Sequence, residues 1–368
     1  MFAENKLVVV TAEQTVSSAT AVGNVASAVG YGGDLSFTST QSASGAVTAA
    51  ASTQVSDSGA YAGATSSATG NAATAGACCG AISGSSRQEA GAKDVTAGTY
   101  LDVASYAYQL SADAAAVGNT QGWLTSNGAV RAYTAQNLTG SVVADSSSRA
   151  GEIETLAGTS ATAVGNDVTT SGTGASSVDL VTDQSNTGFA VRATVTSQQA
   201  AGDTVSGQAT ATSNNVTVEN EGGASLTAHT QTSSAAVTAD AAYGLSAWNE
   251  ATVASYGVGN SVYSSNIGPQ TELGLAQTNT GAITVNSSLL ANGGGDATYV
   301  SATAVGNAAQ GLICSTCDGG VGINSSQNNS GAVRASSSFR TTAATGSLVG
   351  AASAVGNTAT FTVRAPGS

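Results

Sequence analysis

The chain has 368 residues, of which 8% are charged and 5% aromatic, with 46 Gly and only 2 Pro. Ordinary globular domains carry about 25% charged residues and a core of large aliphatic side chains, and that kind of core cannot be assembled from this inventory. The formal net charge is −13, from 22 acidic and 9 basic residues, which argues against nucleic acid as a partner, because phosphate binding needs clustered Lys and Arg.

So much Gly and Ser would also suit a disordered chain. The low charge, the plentiful Val, Thr and Ala and a regular repeat favour closely packed sheets instead. No stretch of about 18 apolar residues exists, so no transmembrane helix is predicted. Aromatics are too few for the girdles of a transmembrane barrel. The start, Met1-Phe2-Ala3-Glu4, lacks the basic region and long apolar run of a secretory leader and reads as a processed end with an added Met.

The first predicted strand alternates Val16, Ser18, Thr20 and Val22 and runs into Gly23-Asn24. Its block, Ser18 to Asn24, returns as Ser160 to Asn166 and as Ser301 to Asn307. Looser copies end at Asn71, Asn119, Asn260 and Asn357, and a degenerate one, Thr210-Ala211-Thr212-Ser213-Asn214, fills the remaining slot. The eight Asn are spaced by 47, 48, 47, 48, 46, 47 and 50 residues. About eight residues after each Asn comes a turn signal, such as Gly32-Gly33, Cys79-Gly80, Asn127-Gly128 or Gly222-Gly223.

A second strand arm follows. Apolar residues alternate into it, as in Leu35 and Phe37, Val178 and Leu180, or Val321 and Ile323. It reaches a Gln-x-x-x-Gly-Ala-Val motif whose copies begin at Gln41, Gln88, Gln136, Gln184, Gln231, Gln277 and Gln327. Beyond it the alternation continues through Val47 and Ala49, Ile283 and Val285, or Val333 and Ala335. A second turn signal, such as Asp57-Ser58-Gly59 or Gly293-Gly294-Gly295-Asp296, leads to the next Asn. Thr, Val, Ser and Gly fill the interiors, which disfavours helix.

Two motifs in lockstep predict one all-β repeat domain over 1–368. Its units are approximately 1–24 (partial), 25–71, 72–119, 120–166, 167–214, 215–260, 261–307 and 308–357, with an end strand over 358–368. Stacking identical units sets Asn on Asn and Gln on Gln, and such amide ladders satisfy their hydrogen bonds from layer to layer. The expected fold is a flattened two-sheet β-solenoid of about eight 47-residue coils, roughly 38 Å long at the usual strand spacing. A repeated antiparallel β meander has the same strands and turns and stands as the alternative.

Chemistry is sparse. His229 is the only histidine, in a strand arm, and reads as a satisfied or exposed strand residue; no catalytic triad or His-rich metal site can be built. Glu152 and Glu154 share strand parity, which keeps a polysaccharide-degrading β-helix enzyme as a remote reading. The turns Gly293 to Asp296 and Asp318-Gly319-Gly320 faintly resemble calcium-binding turns but lack the nine-residue repeat that supplies the ligands. No cofactor is implied. Cys78-Cys79 and Cys314-x-x-Cys317 both begin seven residues after a motif Asn, so they share one turn in two different units. Local disulfides in an oxidising compartment are expected there, with the adjacent pair Cys78-Cys79 the less favourable because such bridges are strained.

The regularly spaced Gln and Asn, with Gly and Ala, resemble curlin-type repeats, although curlin repeats are about half as long. The blocks Ser-Ala-Thr-Ala-Val-Gly-Asn and Gln277 to Ile283 look more like the holdfast anchor family HfaD of stalked alphaproteobacteria, over Val16 to Val363. Ser213 and Ala235, each standing where Gly is usual, and the shifted Gly91 depart from the pattern. The resemblance implies a secreted, outer-membrane-associated protein that tethers an adhesive polysaccharide to the envelope, alongside curlin-like and secretion-pore-like partners. Apart from the resemblance, open strand edges at the two ends of a solenoid predict end-to-end self-assembly into fibres. A carbohydrate- or ice-binding solenoid is the alternative function, although the Thr and Ser rows are interrupted.

Overall fold

The computed structural model describes residues 1–91, 93–314 and 320–364. The elements among them are β1 (Phe2–Tyr31), β2 (Leu35–Ala43), β3 (Val47–Cys78), β4 (Ala81–Ala90), β5 (Val95–Ser126), β6 (Ala129–Leu138), β7 (Val142–Asn186) and β8 (Ala190–Ser233). They continue as β9 (Ala236–Ile267), β10 (Thr271–Asn279), β11 (Ile283–Ala291), β12 (Gly295–Cys314), β13 (Val321–Asn329), β14 (Val333–Thr341) and β15 (Ser347–Arg364). The strands are long because a single stretch of backbone continues round a corner. β3, for example, runs along one wall, turns at Ser58 and returns along the opposite wall.

Every pairing along the stack is parallel. Asn24 pairs with Asn71, Asn71 with Asn119 and Asn119 with Asn166, and Gln41 pairs with Gln88 in the same way. Hairpins would pair neighbouring strands antiparallel, so the meander is excluded and the solenoid holds. The two walls belong to one continuous 15-stranded sheet rather than two separate ones, because the long strands carry the pairing through the corners.

One wall carries the Asn motif and the other the Gln motif. On the Asn wall the inward residues before the motif are Ala62, Ala64, Ser66 and Ala68, and after it they are Ala73, Ala75 and Ala77. Gly70 and Asn71 are both buried, so the alternation slips by one residue at the motif. That slip is a local kink, repeated coil after coil without any change of register. Gly is usual there, since a Cβ on Gly70 would sit 2.4 Å from the Gly118 carbonyl oxygen of the next coil, and Ser213 is the exception.

The kinked row separates two main cores. The first faces an almost unbroken Ala row (Ala21, Ala68, Ala116, Ala163, Ala211) with a Val row (Val47, Val95, Val142, Val191, Val237). Each buried Val contributes about 1.5–3 kcal/mol, as an upper bound relative to a fully extended unfolded chain. The second core uses larger groups: Phe37, Ile82, Trp123, Val130 and Leu180. Trp123 is fully buried, donates its indole N–H to Thr134 Oγ1 at 2.9 Å and meets Phe37 edge-on at 5.7 Å between ring centres. Gly84 lies under Phe37 and Trp123, since a Cβ there would sit 2.3 Å from the Phe37 carbonyl oxygen and 3.2 Å from the indole.

Candidate functional site

Between the two cores runs a polar septum built from the two motifs. Asn24 Nδ2 donates to Asn71 Oδ1 at 2.7 Å, and Asn71 donates onward to Asn119 at 2.7 Å. The chain of donations continues through Asn166, Asn214, Asn260 and Asn307 to Asn357, at 2.7–2.8 Å per step. The same amide nitrogen also crosses the interior. Asn71 donates to the Glu89 carbonyl at 2.8 Å and Asn119 to the Asn137 carbonyl at 3.0 Å, each being the residue that follows a ladder Gln.

The Gln row answers in kind. Gln88 Nε2 donates to Gln41 Oε1 and Gln136 Nε2 to Gln88 Oε1, both at 2.8 Å. Gln184, Gln231, Gln277 and Gln327 follow, each donating to the preceding Gln at 2.7–2.8 Å. Each Gln also crosses to the Asn wall. Gln41 reaches the Ala72 carbonyl at 2.9 Å and Gln136 the Asp167 carbonyl at 2.8 Å, each just after a ladder Asn. The two ladders therefore run with opposite polarity: Asn amides donate towards the C-terminal coils and Gln amides towards the N-terminal ones. Asn71, Asn119, Asn166, Asn214, Asn260 and Asn307 have no exposed surface at all. Amides so buried are tolerated because both N–H groups and the oxygen find partners.

Other polar stacks escape the two motifs. Asn279 Nδ2 donates to Asn329 Oδ1 at 2.7 Å, and Asn220 to Asn266 at 2.9 Å. Asn186, two residues after Gln184 as Asn279 is after Gln277, donates to Ser213 Oγ at 2.9 Å and accepts from the Gly188 N–H at 3.0 Å. The hydroxyl of Ser213 thus has a partner where the other coils have Gly. The signal for the Asn186, Asn279 and Asn329 positions is Gln-x-Asn at 184–186, 277–279 and 327–329, present in three units only, whereas Asn220 and Asn266 each lie six residues after a ladder Asn. Hydroxyl pairs such as Ser66 with Thr99 at 2.7 Å and Ser148 with Ser197 at 2.8 Å thread the first core.

His229 lies inside the second core, 2% exposed, with Nδ1 bonded to Thr182 Oγ1 at 2.9 Å and Nε2 without a partner. Burial pushes its pKa down to about 4. Asp167, just after a ladder Asn, is held above the usual carboxylate range by burial, against the opposing hydrogen bonds from Asn215 at 2.8 Å and Thr120 at 3.2 Å.

Glu152 and Glu154 sit at a corner and line an open groove of about 790 Å³ together with Asp203, Trp248, Asn249 and Asp296. Tyr106 donates its hydroxyl to Glu154, which pushes the phenol up to about 12. Asp296, from the glycine-rich turn, faces the same groove, whereas Asp318-Gly319 lies outside the described residues. Among the described residues no group of three His, Cys, Asp or Glu is placed to hold a metal ion.

Cys78 and Cys79 are thiols with their Sγ atoms 2.8 Å apart, and Cys314 is a thiol as well. The described residues thus hold no disulfide, and the expected bridge from Cys314 reaches Cys317, outside them.

The amide ladders bind coil to coil along the stack. No curated protein and no solved structure matches the chain significantly. The family model of holdfast attachment protein D matches residues 9–282, about three quarters of the chain. A parallel coil stack carrying that match over most of its length is a member of the holdfast attachment protein D family.

Proposed function

We propose that the chain is a non-catalytic anchoring element at the bacterial cell surface, secreted and associated with the outer membrane, which joins an adhesive polysaccharide to envelope partners. The observation that carries this reading is the family membership over residues 9–282. The ladder-held stack supports it physically: side-chain amides and parallel backbone pairing join each coil to the next.

Self-association belongs to the same proposal. The Asn ladder has an acceptor end at Asn24 and a donor end at Asn357, so stacking one copy on the next in the same sense pairs donor with acceptor. Head-to-head stacking would pair acceptor with acceptor. Electron microscopy and sedimentation of the purified chain test this, with elongated species expected as concentration rises. A strictly monomeric chain at high concentration would remove the self-assembly arm. For anchoring, cells lacking the chain are expected to leave their adhesive behind under flow. Adhesive retained on such cells at the normal level would overturn the anchoring reading.

The ice- or carbohydrate-array reading rests on outward Thr rows. The clearest aligns Thr20 and Ser67 with Ala115, then Thr162 and Thr210 with Tyr256, Thr303 and Ser353. Ala115 and the bulky, exposed Tyr256 interrupt that hydroxyl surface, so it is not a flat array.

A further inference from the structure

Eight residues after a ladder Asn the backbone turns left-handed in five coils, whereas Gly268, at the same place after Asn260, keeps an ordinary φ. In those five φ is +70° at Gly32, +66° at Cys79, +50° at Asn127, +70° at Gly174 and +84° at Gly222. Gly and Asn suit that conformation, whereas a Cys does so at a steric cost. Strain kept at one position points towards a role for the residue that bears it. Cys79 is exposed, its neighbour Cys78 is half-buried, and their Sγ atoms lie 2.8 Å apart. The backbone beneath them is pinned: Cys79 N–H donates to the Ser126 carbonyl at 2.8 Å, and the Cys78 carbonyl accepts from Gly32 N–H at 3.0 Å. The contact between the two sulfurs raises the pKa of Cys78.

We propose that Cys78–Cys79 is a reversible thiol–disulfide site whose oxidant is a low-molecular-weight disulfide, RS–SR. The exposed Cys79 thiolate attacks one sulfur of RS–SR, forms a mixed disulfide and releases RS⁻. The Cys78 thiolate then attacks Cys79 Sγ, closes the internal bond and displaces the second RS⁻. The two thiol protons end on the two leaving thiolates. The protein loses two electrons and two protons, and the reagent becomes two RSH.

Ring closure is possible but not restful. Adjacent Cα atoms across a trans peptide are about 3.8 Å apart, whereas ordinary disulfides span about 4.4–6.8 Å. A strained, exposed bridge has a high reduction potential and opens readily to thiols. The pair therefore works as a switch that responds to the surrounding thiol–disulfide balance, unlike a staple that holds the coil closed.

The test uses the full chain carrying Cys314→Ser and Cys317→Ser, so that only this pair remains, with the unsubstituted chain mapped by peptide mass spectrometry in parallel. Both are equilibrated with oxidised and reduced glutathione at a series of ratios. The pair is expected to lose the mass of two hydrogens, keep no glutathione and regain both hydrogens on adding reduced glutathione. The reduced chain is expected to bind one equivalent of phenylarsine oxide, a dithiol probe, and the oxidised chain none. Adding Cys79→Ser should stop the reaction at a glutathione adduct on Cys78. A stable glutathione adduct on the intact pair, a covalent dimer, or no mass change at any ratio would each overturn the proposal.

Discussion

Asn166 shows what a ladder residue has to do. It receives a hydrogen bond from Asn119, gives one to Asn214 and sends another across to the Ser185 carbonyl at 3.0 Å. Asn166→Ala removes all three and strands buried partners on both sides. At about 1–3 kcal/mol for each unsatisfied buried group, a loss of roughly 3 kcal/mol or more is expected, read as a fall in the denaturant midpoint. Asn24→Ala acts on a partly exposed amide and should cost about 1 kcal/mol or less. The glycine before the ladder gives a paired measurement. A Cβ on Gly165 would lie 2.4 Å from the Ser213 carbonyl oxygen, while one on Gly45 meets nothing within 4 Å. Gly165→Ala should destabilise by about 1–3 kcal/mol, with Gly45→Ala within about 0.5 kcal/mol of the parent.

His229 adds a pH dependence at the same scale. Its folded pKa of about 4 lies below the ordinary value of 6.5, so the unfolded chain binds the proton first. The stability that rests on the neutral imidazole is complete above pH 6.5 and is lost as pH falls from 6.5 through about 4, to the extent of roughly 3 kcal/mol. Replacing His229 with Leu, the residue found at position 275 of the next coil, should flatten that segment of the profile. An unchanged acid limb would show that other groups set it.

At the scale of the elements, the second core is held by few large groups, and Trp123 is the largest of them. Trp123→Ala should cost about 3–5 kcal/mol, seen in thermal unfolding. The strand arms, their turns and the Asn and Gln periods were legible because each is written eight or seven times in the sequence. The parallel order was less so, since a period of two looks the same in a coil and in a hairpin. The Asn186, Asn279 and Asn329 positions stayed hidden because Ala43, Ala90 and Leu138 stand at the same place in other units. The septum itself depends on the inward slip at Gly-Asn, which alternation counted on either side of the motif does not disclose. Cys79 was legible as a turn residue, but its left-handed backbone became apparent only beside Gly32 and Gly174.

For the whole molecule, ionic cohesion is minor. Among the described residues the single ion pair is Arg192 with Asp145 at 2.9 Å, both about half exposed, and such surface pairs contribute about 0–1 kcal/mol. The net charge of −13 instead keeps copies apart. Raising salt towards about 0.5 M shrinks the screening length below 8 Å. It should leave the unfolding midpoint nearly unchanged while increasing light scattering from self-associated chains. A midpoint that falls steeply with salt would mean that charge, rather than the amide ladders and the small-residue cores, holds the coils together.

The parallel winding has a mechanical consequence for a tether. One coil of 47 residues, such as that from Asn24 to Asn71, advances the stack by a single strand spacing of about 4.8 Å. Pulled straight, the same residues span about 155 Å at roughly 3.3 Å each. A load that peels one coil from the end is met by the rupture of its amide rungs and then by a long run of slack, before the next coil takes the strain. Each turn of the rod is stored length, and a sudden tug is spent in paying it out one turn at a time.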